Sequence, residues 1–307
     1  MTTAFITHPA CLLHDMGPYH PESPDRLRAI SDRMIAAGVD AHLLHREARP
    51  ATREQLARVH GDAYLDEIEA ASPDEGLHYL DPDTALCPDS VAAATHAAGA
   101  AVLAVDMVMS GQCRTAFCAV RPPGHHAERS RAMGFCVFNS VAVAAAHAME
   151  AHGLSRVAIV DFDVHHGNGT EAIFARDPRV LMVGTFQYPL YPYSGVEPLG
   201  PNMHNVPLDA GSGTEALQAA VREHWLPALE AHQPELVIIS AGFDAHREDP
   251  LASLAFTESD YAWITRQLID VAERHAQGRI VSSLEGGYSL SALGRSVVEH
   301  VRVLVAS

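Results

Sequence analysis

The sequence predicts an α/β protein in which a parallel β-sheet carries helices on both faces. Short, continuously apolar segments rich in β-branched residues recur along the chain, and each leads into a polar, Gly- or His-bearing loop. Continuous apolarity is typical of strands that are buried on both faces, as in parallel sheets. Alanine-rich segments of helical length lie between these segments. Because strands that alternate with helices form crossover units, the pattern favours a parallel sheet.

Five segments predict the buried strands, and four predict the helices. The strands are expected at 114–120, 156–160, 179–185, 235–240 and 279–284. The helices are expected at 90–110, 140–152, 214–232 and 258–275. The proline- and aromatic-rich stretch 187–207 is too short for a linker, and we interpret it as a long functional loop. Since no Gly/Ser-rich linker or internal repeat divides the sequence, we expect residues 1–307 to form a single catalytic domain.

Composition narrows the class of protein. Hydrophobic residues make up 48% of the chain and charged residues only 19%, which favours a globular core over disorder. The net charge of −17 and the lack of a basic run disfavour direct nucleic-acid binding and suit cationic substrates. Five cysteines without a CxxC pair predict reduced thiols and a cytoplasmic protein. We expect no secretory signal, and no membrane span because no run of about 18 uninterrupted apolar residues occurs.

Acids, imidazoles and a phenol follow four of the predicted strands. Ligands of open α/β sheets bind beyond the carboxyl ends of the strands, so these side chains are expected to meet at one edge. The segments that carry them are RPPGHHAE (121–128), DFDVHHGNG (161–169), AGFD (241–244) and EGGY (285–288). This convergence is the main indication of an active site that the residues themselves give.

The second and third of these segments predict a metal site. Asp163 and His165 are two residues apart, and alternate residues of an extended segment point the same way. Asp244, from a different strand, is the natural third ligand. A carboxylate–imidazole set suits zinc, and three protein ligands leave a position open for water. Iron(II) is an alternative ion for the same ligands. In isolation, an Asp-x-His segment is more often a solvated loop, and only the convergence favours a metal.

The remaining polar residues fit acid–base and oxyanion chemistry. His125 and His126 follow a rigid Pro-Pro-Gly turn. One imidazole there could take a proton from water and later give it to the leaving amine. Tyr288 follows two glycines, and its phenol could donate a hydrogen bond to a developing oxyanion. Each of these short motifs alone is more often a surface feature or a turn.

Together these motifs resemble the histone deacetylase family. The resemblance adds GFCVFN (134–139) to the four segments and runs from about residue 8 to the C-terminus. It implies the three-layer arginase–deacetylase fold, with a mainly parallel eight-stranded sheet between helices, and hydrolysis of acetyl-lysine or related amides. Asn168, together with His20 and Glu22 in the segment HPE, resembles the class II branch and its bacterial members.

The resemblance also implies roles for individual residues. Asp163, His165 and Asp244 match the zinc ligands, and His126 matches the general base and acid. His125 matches its electrostatic partner with Asp161 hydrogen-bonded behind it, and Asn168 matches the partner of His126. Tyr288 matches the transition-state donor. A structural potassium ion is implied beside Asp161 and the backbone carbonyls around Asp163 and His165.

The substrate tunnel is implied in the same way. Gly134, Phe135 and Tyr191 match positions that wall a narrow acyl-lysine tunnel, where two aromatic faces sandwich a methylene chain. Leu251 matches a position at the rim. Polyamine-specific animal relatives carry an acidic residue there, and Leu251 lacks that charge.

Three functions therefore stay open. The first is a zinc-dependent deacetylase for acetylated lysine peptides. The second is an amidohydrolase for a small acylated amine such as an acetylpolyamine, which would use the same residues. The third is a metalloprotein that binds acylated ligands without turnover. A homo-oligomer is compatible with each of them.

Overall fold

Ten strands run through residues 2–307, the part of the chain that this computed structural model describes. In chain order they are β1 (Thr3–Thr7), β2 (Leu43–Glu47), β3 (His78–Asp81), β4 (Thr84–Leu86), β5 (Thr115–Cys118), β6 (Val157–Asp161), β7 (Val180–Gln187), β8 (Met203–Leu208), β9 (Leu236–Ala241) and β10 (Ile280–Leu284). Eight of them form one sheet in the order β2-β1-β5-β10-β9-β6-β7-β8, with every neighbouring pair parallel. The predicted eight-stranded parallel sheet is confirmed. β3 and β4 form a separate antiparallel hairpin.

Ten α-helices connect and flank these strands. They are α1 (Asp25–Ala36), α2 (Arg53–Ala57), α3 (Asp62–Ala71), α4 (Ser90–Met109), α5 (Ser140–His152), α6 (Asn168–Phe174), α7 (Thr214–Ala220), α8 (Leu226–His232), α9 (Glu258–His275) and α10 (Leu290–Ala306). Short 3-10 helices lie at Pro9–Leu12 and Asp40–His42, and a π-helical segment at Val221–Trp225 joins α7 to α8. The helix predicted at 214–232 is thus continuous but changes its hydrogen-bond spacing in the middle.

The five predicted strands are all present, in the centre and on one side of the sheet. Every residue of β5, β6, β7, β9 and β10 is buried, as continuous apolarity indicates. Because all strands of the sheet are parallel, their carboxyl ends lie along one edge. The loops that carry the candidate site residues leave the sheet at this edge.

The interpretation of 187–207 as one long loop is wrong at both ends. Gln187 is the last residue of β7, and Met203 to Pro207 belong to β8, which pairs with β7. The loop proper covers 188–202. β8 escapes the sequence pattern because it is an edge strand of mixed polarity, with only Met203 and Leu208 buried.

Helix α4 is long and apolar enough to cross a membrane by length and composition alone. However, 67% of its most apolar window is buried inside the fold. The helix packs against α5 and against strands β1, β5 and β10. This burial is typical of a core helix. All five cysteines are buried and none is in a disulfide.

Candidate active site

Three side chains that could hold one metal ion lie together beyond the carboxyl ends of β6 and β9. Asp163 and His165 follow β6, Asp244 follows β9, and one ligand atom from each lies within 4.8 Å of the other two. His165 Nδ1 is 3.0 Å from Asp163 Oδ1 and 3.2 Å from Asp244 Oδ2. Two carboxylates and one imidazole form a ligand set that suits a divalent ion such as zinc.

The donor atoms of this group also fit a cation by their own chemistry. Asp244 Oδ2 is buried and has no aligned hydrogen bond. Leaving a buried carboxylate oxygen without a partner costs free energy, which a cation between the three side chains would remove. Burial also disfavours the charged form of His165, but Asp163 and Asp244 outweigh it and raise its pKa to about 10. The two carboxylates therefore attract a positive charge to this position.

Main-chain N–H groups hold the other carboxylate oxygens. Gly286 N donates to Asp163 Oδ2 over 2.8 Å, and His165 N donates to Asp163 Oδ1 over 2.9 Å. Val164 N donates to Asp244 Oδ1 over 2.9 Å. The orientation of both carboxylates is thus fixed by backbone rather than by flexible side chains.

Two glycines make this close approach possible. A Cβ atom on Gly242 would lie 2.1 Å from Asp163 Oδ2. A Cβ atom on Gly286 would lie 2.0 Å from Asp244 Oδ2. Both distances are far below van der Waals contact, so any side chain at either position would displace a ligand. The glycines of the AGFD and EGGY segments therefore serve the geometry of the ligand group.

The two adjacent histidines have different partners. His125 Nδ1 donates to Asp161 Oδ2 over 2.9 Å, and His126 Nδ1 donates to Asn168 Oδ1 over 2.7 Å. Because carboxylate and amide oxygens only accept, both imidazoles carry their proton on Nδ1 when neutral. The lone pair of His126 is then on Nε2, which can accept a proton.

The two histidines also differ in charge. Burial lowers the pKa of His126 well below its usual value, and the neighbouring His125 and His165 lower it further. Burial also disfavours the charged form of His125, but Asp163 and Asp161 outweigh it and raise its pKa well above the usual value. His126 is thus a neutral imidazole that can accept a proton, beside an imidazole whose pKa two carboxylates raise.

A carboxylate that the sequence analysis did not identify lies behind Asn168. Asn168 Nδ2 donates to Glu128 Oε1 over 2.9 Å, while Oδ1 of the same amide faces His126. Glu128 belongs to an irregular loop two residues after His126. The series of hydrogen bonds from His126 through Asn168 to Glu128 therefore ends on a negative charge, although the direct partner of His126 is neutral.

One cavity joins the acid–base residues to the predicted tunnel. Its volume is about 220 Å³, and it is lined by Asp83, His126, Gly134, Phe135, His165, Leu190, Tyr191, Leu251 and Tyr288. Larger depressions exist elsewhere on the surface, but none brings together these chemical groups. Asp83 and Leu190 are lining residues that the sequence motifs did not indicate.

Aromatic rings pack edge to face around this cavity. The ring centroids of Phe135 and Tyr288 are 5.8 Å apart, and those of His126 and Tyr191 are 5.3 Å apart. Phe135 has a φ of 68°, a left-handed conformation that costs about 1–3 kcal/mol for a non-glycine residue. A Cβ on Gly134 would lie 2.4 Å from His126 Cδ2, so the glycine lets this loop approach the imidazole.

Tyr288 is held from both sides. Its main-chain N–H donates to Asp249 Oδ2 over 2.7 Å, and the guanidinium of Arg26 lies over its ring, 4.9 Å from the centroid. Arg26 also donates to the carbonyl of Gly287 over 2.7 Å. Burial raises the pKa of the Tyr288 phenol well above its usual value. The hydroxyl therefore stays protonated and can donate a hydrogen bond.

The structure brings all the predicted site residues to one edge of the sheet. Those not in the cavity wall lie directly behind it: Asp163 and Asp244 contact His165, His125 contacts His126, and Asp161 and Asn168 contact the two histidines. The supporting residues Glu128, Asp83 and Asp249 were missed. They lie in loops, and no local sequence pattern distinguishes them from other surface acids.

Comparison with known proteins gives a consistent result. A sequence model of the histone deacetylase domain matches residues 20–304. A histone deacetylase-like amidohydrolase of Pseudomonas aeruginosa is 39% identical over 97% of this chain and 86% of its own length. A probable deacetylase of Archaeoglobus fulgidus is 37% identical over 94% of this chain and 82% of its own length. Human polyamine deacetylase HDAC10 is 37% identical over 99% of this chain but only 48% of its own length.

A solved structure shows the same architecture. The HDA15 HD domain superposes with a TM-score of 0.93 at 36% sequence identity, covering 99% of this chain and 90% of that one. The agreement extends over the whole sheet and its flanking helices, which is what the predicted three-layer fold requires.

Proposed function

Since the chain belongs to the histone deacetylase family, we propose that it hydrolyses acetyl-lysine-type amides with one zinc ion held by Asp163, His165 and Asp244. When bound, the ion polarises the amide carbonyl and makes the attacking water more acidic. In this proposal residues 1–307 act as one catalytic domain. A potassium ion beside Asp161 would help to fix the loop that carries Asp163 and His165.

The protein's own residues supply the proton transfers. As water attacks the carbonyl carbon, His126 Nε2 takes a proton from that water. The same nitrogen then gives the proton to the departing amine. The Nδ1–H of His126 stays on Asn168, which keeps the ring oriented through both steps. Tyr288 donates its hydroxyl proton in a hydrogen bond to the oxygen that becomes negative. Phe135 and Tyr191 exclude water from the alkyl chain of the substrate.

The observation that carries this proposal is the single cavity shared by His126, His165, Tyr288 and two aromatic walls. A narrow apolar channel that ends on a base, an oxyanion donor and a ligand group suits a long alkyl amine with an acyl cap. The test is acetate release from an acetyl-lysine peptide by purified protein supplied with zinc, in the presence and absence of a hydroxamate. Hydroxamate-sensitive release is the expected result.

Variants separate catalysis from binding. We expect Tyr288→Phe to lower kcat by about 100-fold or more, because loss of an oxyanion donor typically costs about 3–4 kcal/mol. Asp163→Ala should abolish both zinc binding and activity. If both variants kept full activity, the mechanism would be wrong. Binding of an acetyl-lysine peptide without any release of acetate would favour the non-catalytic alternative.

A second substrate class is favoured by one residue of the cavity. Asp83 is the carboxyl group that lines it, and its Oδ1 accepts from Gly134 N over 3.2 Å. A negative charge there would attract a second ammonium group, as in an acetylated diamine. Comparing kcat/KM for an acetyl-lysine peptide and acetylputrescine decides between the two classes. A large preference for the diamine would overturn the peptide assignment while leaving the chemistry intact.

A further inference from the structure

We propose that Asp106, His147 and His152 form a second site for a divalent metal ion, at the edge of the sheet opposite the candidate active site. Asp106 lies one turn before the end of α4, and His147 and His152 lie in the last half of α5. These helices end just before β5 and β6 begin, so their carboxyl ends lie near the amino ends of the strands. The candidate active site lies beyond the carboxyl ends of the strands.

The three side chains already converge on one point. Nε2 of His147 is 2.8 Å from Asp106 Oδ1, and Nε2 of His152 is 2.7 Å from the same oxygen. One ligand atom from each residue lies within 4.8 Å of the other two. The His147 ring is nearly buried, whereas 47% of the Asp106 side chain is exposed. An ion can therefore enter from solvent and reach a preassembled set of donors.

The donor set selects a class of ion. Two imidazoles and one carboxylate are the ligands that zinc and its neighbours among the divalent transition metals prefer. Magnesium and calcium prefer all-oxygen sites and are disfavoured here. Three protein ligands leave a fourth position for water, so a tetrahedral ion completes its shell without another side chain. The site would tie α4 to α5, two core helices that pack against each other.

Arg58 competes with the ion for the imidazole of His147. Its NH1 group lies 3.0 Å from Nδ1 of His147. A guanidinium only donates, so Nδ1 accepts and the ring proton is on Nε2, where it bonds to Asp106. Metal binding needs the lone pair on Nε2 and thus moves the proton to Nδ1, facing Arg58. Arg58 must then turn away, toward Glu54, whose carboxylate is already within 3.5 Å.

The site is tested by zinc stoichiometry in the full-length protein, measured by elemental analysis after dialysis against micromolar free zinc. Wild type should hold two ions per chain, His152→Gln one, and His165→Ala, which removes the active-site ligand, one. The double variant should hold none. His152 is partly exposed at the end of its helix, so its replacement leaves the core intact. The count of two in wild type rests on the proposed zinc at the active site, whereas no ion in His165→Ala, or equal zinc in wild type and His152→Gln, would overturn the second site.

Three further measurements give independent readings. In the His165→Ala protein, cobalt(II) should give the intense visible bands of a tetrahedral ion, and adding Asp106→Asn should remove them. Zinc should raise the Tm of His165→Ala by a few degrees and leave the Tm of the double variant unchanged.

Arg58→Gln in the His165→Ala protein should tighten zinc binding several-fold, because a glutamine oxygen can accept from Nδ1 of His147. Unchanged affinity would refute the competition.

Discussion

The amide of Asn168 connects a hydrogen-bond donor with an acceptor: it accepts from the Nδ1–H of His126 over 2.7 Å and donates to the carboxylate of Glu128 over 2.9 Å. A hydrogen-bonded amide is polarised by the carboxylate behind it, which makes its oxygen a better acceptor. A neutral partner is expected to stabilise a protonated imidazole less than a carboxylate would. Here Glu128 restores part of that stabilisation at a distance of one side chain.

This arrangement predicts the effect of Glu128→Gln. The charge of Glu128 matters only when His126 is protonated, so kcat should fall while KM changes little. We expect a loss of about fivefold, equivalent to about 1 kcal/mol. Steady-state kinetics on an acetyl-lysine peptide measures it. Glu197→Gln is the matched control, because Glu197 is exposed in the nearby loop and does not bond to Asn168. Equal losses in both variants would refute the coupling.

Gly242→Ala should damage the metal group without replacing any of its three ligands. The new Cβ would lie 2.1 Å from Asp163 Oδ2, and the carboxylate has to move. We expect zinc affinity to fall by about tenfold or more, as for losses of groups that orient ligands. Competition with a chromophoric chelator measures it. Gly213→Ala is the control, since its Cβ would meet no atom closer than 3.5 Å. Unchanged zinc affinity in Gly242→Ala would mean that Asp163 is not held as described.

Leu251→Glu should shift the preference toward acylated diamines. Leu251 lines the cavity, and a carboxylate there would attract a second ammonium group. The ratio of kcat/KM for acetylspermidine to that for an acetyl-lysine peptide should rise by about fivefold to tenfold at low salt and less at high salt. Leu251→Gln serves as control, because glutamine has nearly the same shape as glutamate without its charge. A similar shift in both variants would show that charge is not the cause.

Three buried histidines each contribute a loss of stability in mild acid. Burial lowers the pKa of His14 and His60 to about 4 and that of His300 to about 3. The unfolded chain binds a proton at each near pH 6.5, whereas the folded chain does not. The stability that these neutral histidines contribute is therefore complete above pH 6.5 and is lost as the pH falls toward their pKa values in the folded protein. Each histidine costs about 1.4 kcal/mol per pH unit in that window.

Urea unfolding between pH 7 and pH 4.5 tests this, with His300 as the probe. His300 bonds to Thr265 and Ser282 in the core, so His300→Gln lowers stability at every pH. Its diagnostic effect is on the slope of the free energy of unfolding against pH. Below pH 6.5 this slope should become shallower by the equivalent of up to one bound proton. His42→Gln, at an exposed position, should leave the slope unchanged. A slope identical to wild type in His300→Gln would contradict the assignment of a neutral buried His300.

The sequence predicted the centre of the fold better than its margins. β6, β9 and β10 are buried along their whole length and mostly apolar, with only Asp161, Ser240, Ser282 and Ser283 as polar residues, and this leaves a clear pattern. β2 is an edge strand with exposed polar residues, and the edge strand β8 has half-buried His204 and Asn205 and an exposed Pro207. Only pairing with a neighbour makes them strands. Short β1 was missed as well, although it is nearly fully buried between β2 and β5.

The candidate site divides in the same way. Asp163, His165, Asp244 and Tyr288 could be found because they directly follow predicted strands whose carboxyl ends must meet. Glu128 and Asp83 could not, because Glu128 lies in an irregular loop and Asp83 in the tight turn between β3 and β4. Their positions depend on tertiary contacts, such as the hydrogen bonds of Asp83 to Gly134 and of Glu128 to Asn168, which no local pattern encodes.

Main-chain N–H groups donate to the carboxylates of Asp163 and Asp244, and this bears on the order of folding and metal binding. A zinc finger folds only when its metal binds, so the ion is committed for the lifetime of the fold. Here main-chain N–H groups at a buried sheet edge orient both carboxylates, so we expect the chain to fold before an ion binds and the ion then to add stability. The ion can exchange while the chain stays folded. In the proposed enzyme, occupancy would then follow the concentration of free metal, and a chelator would lower activity without unfolding the protein.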